Sequence, residues 1–333
     1  MIHRRRLIRV LPSSLAATAA TAPFLATAPA AMAQGYPDRP IRLIVPFPPG
    51  GPVDVGGRIV ATGLSAQLGQ PVVVENRSGA GGSVGVAEAA RAAPDGHSLV
   101  FASTGALAVN VSLIPNLSYD TRRDFVPVAI VVAIPMLMVA RQGLPVRTVQ
   151  EVVALARQRP NALTYATTGP GGPPHLLGEV MRQRSDVHMT MVAYRGAGPA
   201  ITALLAGEVD VSFLDPAVLM PHVREGRLRA LAVSSRERSP AMPDLPSLVE
   251  AGLDGAEVEN WYALLAPAAT PPERVRRLYA ALAAALARPE TLRVFTDQGA
   301  RALVWEPERS AAFIRAEVER WAEVARAAGM KPE

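Results

Sequence analysis

The stretch from Tyr36 to Gly82, YPDRPIRLIVPFPPGGPVDVGGRIVATGLSAQLGQPVVVENRSGAGG, decides the fold class. Ile41 to Phe47 is a short, nearly uninterrupted apolar run, the pattern of a parallel strand buried on both faces. It breaks at Pro48, Pro49, Gly50 and Gly51. A helical stripe of Val55, Ile59, Leu64 and Leu68 follows from about Asp54, and Gly69 stands where a left-handed C-terminal cap belongs. Val72 to Glu75 is a second strand that also empties into a Gly-rich loop. In open α/β sheets small ligands bind at such turns, where helix amino ends present free N–H groups to an anion.

Upstream, the first 33 residues have the organisation of an export signal. Arg4, Arg5, Arg6 and Arg9 form a basic start, an Ala/Leu-rich stretch follows, and Ala31-Met32-Ala33 supplies a small-x-small cleavage pattern before Gln34. The paired arginines also permit twin-arginine export. Pro12, Pro23 and Pro29 interrupt the stretch, whereas a membrane anchor needs about 20 continuous apolar residues. The whole chain carries 34 basic and 29 acidic residues, and the signal holds four of the arginines and no acid. The mature chain is therefore nearly neutral, without a basic face for nucleic acid. It has no cysteine, which excludes thiol catalysis and thiolate metal sites, and its length suffices for two domains without disulfides.

Downstream the strand, Gly-rich loop, helix plan recurs. His97 to Ser103 is a strand followed by a polar loop holding Thr104, Gly105 and Asn110. Val128 to Ala140 is a long apolar run, broken at Pro135, that carries the chain into a second domain. Thr148-x-x-Glu151 is a capping box for a helix ending near Arg159. Strand Leu163 to Thr167 leads through Thr168 to Gly172 into a helix from Pro173. Met189 to Tyr194 runs into Arg195-Gly196-Ala197-Gly198 and a helix, Val209 to Leu214 into Asp215-Pro216 and another, and Leu228 to Ser234 is one more strand. Val258 to Pro267 carries the chain back. Thr270-x-x-Glu273 is a second capping box, Arg301 to Trp305 a strand, and Pro307 to Ala328 a helix closed by Gly329. Alternating elements of this kind indicate parallel sheets.

The segments PIRLIVPFPPGG, GQPVVVENRSGAGGSVG, APDGHSLVFAST, DFVPVAIV, VAYRGAGPAITALLAGEVDVSF, GRLRALAVSS, RSPAMPDLPSLVEAGL and LLAPAATPPERVRRL resemble the extracytoplasmic solute receptors of tripartite tricarboxylate transporters, the Bug proteins. The resemblance runs from Tyr36 to Glu333 with the blocks in the family's order. It implies an α/β protein of the type II periplasmic-binding-protein fold, with two α/β lobes, a ligand cleft between them and two hinge crossings. With the crossings near 137 and 258, residues 34–137 and 259–333 form one discontinuous lobe and 138–258 the other. The resemblance further implies a periplasmic receptor that captures a small organic carboxylate and delivers it to membrane transporter subunits. A monomer without cofactor or metal is expected.

Other chemistries find weaker support. Gly81-Gly82-Ser83-Val84-Gly85 matches G-x-S-x-G, but that nucleophile elbow needs the strand to end at its serine, and Val72 to Glu75 ends well upstream. His97 follows too soon for the order Ser, Asp, His. Ser83 is expected instead as a helix cap. An exported hydrolase using Ser83 is the rival from another class, and a ligand-sensing subunit of a signalling system is the rival on the same fold. Gly79-Ala80-Gly81 begins like a dinucleotide fingerprint but meets Val84 at the third glycine position. His97, His175, His188 and His222 show no metal-ligand spacing.

What remains is a set of loops on one edge, rich in N–H groups and small hydroxyls and poor in acid/base pairs, which can hold a carboxylate by oriented dipoles. The expected ligand-binding residues are Gly50, Gly51, Asp54, Ser103, Thr104, Thr167, Thr168, Gly169, His175, Tyr194, Arg195 and Asp215. Gly50 and Gly51 would donate backbone N–H groups, Tyr194 would wall the cleft, and Arg195 would supply a cation. Asp54 and Asp215 could each cap a helix or meet a ligand hydroxyl or ammonium. The chain departs from the family at Pro52-Val53 and Pro173-Pro174, where small polar residues are usual. Leu214 replaces the family's Asp, and Asp215 follows one place on. These changes favour a monocarboxylate with an apolar body over a hydroxylated polycarboxylate. Amino-terminal sequencing of the exported protein should begin at or near Gln34, and a retained Met1 would refute the export reading.

Overall fold

The apolar run at the start of the decisive stretch forms strand β1 (Ile41–Val45), and its side chains explain its composition. Ile41, Leu43 and Val45 enter one core cluster and Ile44 another on the opposite face, so no position is left for a polar residue. The computed structural model describes residues 35–169, 172–297 and 299–327. The export segment, Pro170-Gly171 and the expected Gly329 cap lie outside the described residues. No helix among the described residues is long and apolar enough to cross a membrane.

After β1 come α1 (Pro52–Leu68), β2 (Val72–Asn76), α2 (Ser83–Ala90) and β3 (Ser98–Ser103). Next are α3 (Asn110–Leu113), the one-turn α4 (Thr121–Asp124), β4 (Phe125–Pro135) and β5 (Leu137–Arg141). Then follow α5 (Val149–Gln158), β6 (Thr164–Thr167), α6 (Pro173–Ser185), β7 (Thr190–Ala193), α7 (Ala197–Ala206), β8 (Val211–Leu214), α8 (Pro216–Arg224) and β9 (Leu228–Val233). The chain ends with β10 (Glu259–Pro267), α9 (Pro272–Leu286), α10 (Pro289–Thr296), β11 (Arg301–Ala302) and α11 (Pro307–Ala327). Gly69 caps α1 in the left-handed conformation, at φ 71°, and donates to the Ser65 carbonyl.

Two sheets result, in the order β11-β4-β10-β3-β1-β2 and β7-β6-β8-β5-β9. They are mixed rather than parallel. β1, β2 and β3 run parallel, as do β6, β7 and β8, but β10 is antiparallel to both β3 and β4, and β5 to both β8 and β9. The strands that enter and leave a lobe run against the local βα units, which the sequence alone does not reveal. The apolar run read from Val128 starts at Phe125 and divides at Met136 into β4 and β5, one strand per sheet. One core cluster continues under both sheets, from Ile44 and Val100 to Tyr165 and Phe213.

Three local expectations change. The second capping box does not form: Pro271 is the N-cap of α9 with Pro272 in the first turn, and Thr270 is left one residue outside with its hydroxyl buried and unbonded. The polar loop after Ser103 is helical, a π-type turn over Gly105–Val109 that runs into α3, because Ala106, Leu107, Ala108 and Val109 are all buried. The strand expected over Arg301 to Trp305 shortens to Arg301–Ala302. The Thr148–Glu151 box forms with both of its bonds.

Both passages between the sheets are joined at Ser234. Its amide donates to the Met136 carbonyl (2.9 Å), and its hydroxyl accepts the Met136 N–H (2.7 Å) and donates to the Val258 carbonyl. The Val258 N–H in turn donates to the Ser234 carbonyl (3.1 Å). Ser234 is 1% exposed, so losing its hydroxyl strands a buried donor and a buried acceptor. Ser234→Ala should cost on the order of 2–3 kcal/mol in a denaturant titration, and a loss below ~0.5 kcal/mol would show that the staple contributes little.

Candidate functional site

Gly50 has φ 81°, a backbone that glycine takes readily and other residues rarely. This lets the loop after β1 fold back on α1. Gly50 N–H donates to Asp54 Oδ2 (2.9 Å), which also accepts Arg58 Nε (2.9 Å). Asn76, at the end of β2, donates to Asp54 Oδ1 (2.8 Å) and to the Phe47 carbonyl (2.9 Å). Burial alone would raise the Asp54 pKa; the bonds from Arg58, Gly50 and Asn76 outweigh it and hold the carboxyl below its usual range. Asp54 is thus neither a cap nor an open ligand contact. It braces the loop.

The brace revises the expected donors. Gly50 N–H is occupied by Asp54, and Gly51 N–H points to the Pro48 carbonyl at 3.4 Å. Gly51 is the N-cap of α1 and Pro52 its first residue, so the helix begins earlier than Asp54. No acceptor among the described residues takes the amides of Val53 and Asp54. These two N–H groups, at the positive end of a 17-residue helix, are the anion donors that the loop presents.

Beside them lies the carboxyl end of β3. The Ser103 hydroxyl is buried and has no partner among the described residues. The Thr104 hydroxyl is spent on backbone, accepting the Trp261 N–H (2.8 Å) and donating to the Trp261 carbonyl (3.2 Å). Tyr262 of β10 pairs with Ser103 across the sheet, and its ring lies over Gly56 in α1, where a Cβ would come within 3.6 Å of it. A register shift follows Tyr262, a bulge of the kind that re-aims a side chain beside a site. The sequence reading placed Tyr262 in an apolar crossing strand and missed it; a lone hydroxyl in the run Trp261 to Ala266 is the signal that was there.

In the second sheet the expected residues again cluster at parallel strand ends. Thr167 is fully buried and accepts the Gly169 N–H at 3.3 Å, while Thr168 and Gly169 are half-buried. His175 is half-buried in the first turn of α6, and burial lowers its pKa against the opposing charge of Glu179, which favours a neutral imidazole. Tyr194 follows β7, half-buried, with its pKa raised by burial and by Glu208. Arg195 is exposed, and no acid among the described residues pairs with it. Asp215 stands at the N-cap of α8 but makes no capping bond, and its Oδ1 is buried without a partner. Its charge lies close enough to Tyr262 to disfavour ionisation of that phenol, which ties the β8 end to the first sheet.

Ser83 is not set up as a nucleophile. β2 ends at Asn76, Gly82 is the N-cap of α2 and makes no side-chain cap, and Ser83 Oγ accepts Asn110 Nδ2 at 2.9 Å. His97 lies at the opposite edge, before β3, with Nε2 3.0 Å from Asp38. The described residues contain no group of three or more acids and histidines able to hold a metal.

The family model described as tripartite tricarboxylate transporter family receptor matches residues 57–330. Protein BugT of Bordetella pertussis is 38% identical over 312 residues, covering 92% of this chain and 96% of its own length. A Rhodopseudomonas palustris protein solved with adipate is 32% identical with a TM-score of 0.76, covering 90% of this chain and all of its own. MatC of the same organism, solved with bound malate, is 35% identical with a TM-score of 0.70, covering 87% of this chain and 99% of its own. The chain belongs to the tripartite tricarboxylate transporter receptor family.

Burial pushes the Asp215 pKa up to about 6. The folded chain therefore holds this proton to higher pH than the unfolded chain, so its effect on stability worsens as pH rises from about 4 to about 6 and is complete above that. Asp215→Asn should be more stable than wild type by up to about 3 kcal/mol at pH 7.5, and the gain should vanish near pH 4. A pH-independent difference in thermal unfolding would refute the assignment.

Proposed function

We propose that this member of the tripartite tricarboxylate transporter receptor family is an exported, non-enzymatic receptor that closes two lobes over a small organic carboxylate and presents it to membrane transporter subunits. The carrying observation is the open amino end of α1. Two unoccupied amides and the Ser103 hydroxyl meet there on a loop that Asp54 has already stiffened. Such a site stabilises a ground-state anion and contains no base positioned to activate water.

In this reading the lobes are residues 34–137 with 259–333, and 138–258. Their hinges are the Ser234-tied passages at Met136 and Val258. The amides of Val53 and Asp54, with Ser103, bind the carboxylate from one lobe. Thr168, His175 and Arg195 close over it from the other, and Tyr194 forms an apolar wall. Gly50, Gly51, Thr104, Thr167 and Gly169 shape the loops. The protein acts in the periplasm as a monomer after cleavage before Gln34. The homologues solved with adipate and malate support a carboxylate ligand. The hydrolase reading is disfavoured by the Asn110 bond to Ser83 and by the distance in the fold between Ser83 and His97.

A ligand held between hinged lobes favours the closed form by its differential affinity. At a hundredfold excess over its dissociation constant a small mono- or dicarboxylate should raise the melting temperature by ~5 °C. It should also reduce the radius of gyration in X-ray scattering, and Ser83→Ala should retain both responses. An ester consumed over time, with Ser83→Ala inactive and the scattering curve unmoved, would sink the receptor reading in favour of a hydrolase.

A further inference from the structure

The cleft contains polar atoms that carboxylate binding at α1 does not use. Asp215 occupies an N-cap position, where aspartate ordinarily accepts a helix amide. Here it makes no such bond, and its Oδ1 is buried with no partner. Facing it from the other sheet is Tyr262, 2% exposed, whose hydroxyl has no partner among the described residues. Two residues earlier on the same face of β10, Asn260 Oδ1 is also buried and unbonded. Three polar groups from two lobes thus converge unsatisfied beside the first turn of α1. Buried groups of this kind cost free energy unless something completes them.

We infer that Asp215, Tyr262 and Asn260 form a hydroxyl-reading subsite, so that the ligand is a hydroxy acid rather than a plain carboxylic acid. The inference rests on the receptor reading above. A hydroxyl is both donor and acceptor: its proton goes to Asp215 and its oxygen accepts from Tyr262, with Asn260 closing the third side. An ammonium could satisfy Asp215 but would leave the Tyr262 donor without an acceptor. A ligand lacking the group leaves the charged acceptor unpaired, the situation in which binding sites discriminate most strongly. The shift of the acid from the position of Leu214 to Asp215 narrows the expected apolar-bodied monocarboxylate to one that carries a hydroxyl.

The test is calorimetric titration of the mature protein with butanoate, 3-hydroxybutanoate and 3-aminobutanoate, and with pentanedioate and its 3-hydroxy derivative. Wild type should bind at least one hydroxy acid tenfold or more tightly than its plain counterpart. Asp215→Ala should bring that ratio within threefold, and Asp215→Asn should leave it intermediate. Tyr262→Phe should lower the hydroxy ratio severalfold and leave the amino ratio unmoved. A purely structural role would weaken both members of a pair alike and preserve the ratio, which would overturn the proposal. A wild-type ratio near one would overturn it as well, showing that water completes the cluster, and so would a preference for the amino acid that Tyr262→Phe does not alter. Plain acids bound as well as hydroxy acids would remove the subsite alone; no binding of any of the acids would remove the receptor reading with it.

Discussion

The two passages of the chain between its sheets depend on one buried hydroxyl. Ser234 ties Met136, where the chain leaves the first sheet, to Val258, just before it returns. The backbone bonds alone would join each passage to Ser234; the hydroxyl adds a direct relay between the two. The crossing strands β4 and β10 then lie side by side at the centre of the first sheet and pair along their whole lengths, from Glu259↔Pro135 to Pro267↔Phe125. Rotation of one lobe against the other must therefore be absorbed near Met136 and Val258, because the flanking strands are locked in register. Bistable closure around a ligand needs this combination of rigid elements and a short deformable junction.

Two aspartates beside strand ends show how environment divides one side chain into two roles. Asp54 collects an amide, a guanidinium and a carboxamide, and its charge is stabilised against burial. It organises the loop before any ligand arrives, so little ordering cost remains at binding. Asp215 is buried with none of these partners, and its proton is retained toward pH 6. A group kept in that state lowers the stability of the empty protein at neutral pH. Strained or unsatisfied groups of this kind concentrate at functional sites.

The interior also contains a charge with an evident structural role. Glu317 of α11, 6% exposed, accepts the indole N–H groups of Trp261 (2.9 Å) and Trp321 (3.0 Å). It anchors the last helix to the returning strand directly beside Thr104, whose hydroxyl holds the Trp261 backbone. The backbone of β10 is thus fixed on the Trp261 side, and the adjoining Tyr262 is free to present its hydroxyl on the other face.

Periodicity and punctuation, read along the chain, determined most of the local structure. Apolar runs located the strands, Gly69 the end of α1, and Thr148-x-x-Glu151 the start of α5, because these depend on residues within one or two turns of one another. Thr270-x-x-Glu273 has the same pattern and failed, since Pro271 and Pro272 moved the helix start past the threonine. The family and the carboxyl-edge loops were equally legible, as they are carried by contiguous segments. Tertiary structure alone decided which donors stay open. Gly50 and Thr104 look like binding groups in sequence, yet Asp54 and the Trp261 backbone claim them, and Tyr262 and Asp215 meet only because two sheets, each formed by distant segments, bring their edges together. A hydrogen-bonding group has few bonds to give, and whether it is spent on the fold or kept for a ligand depends on partners that may lie more than a hundred residues away, as Trp261 does from Thr104.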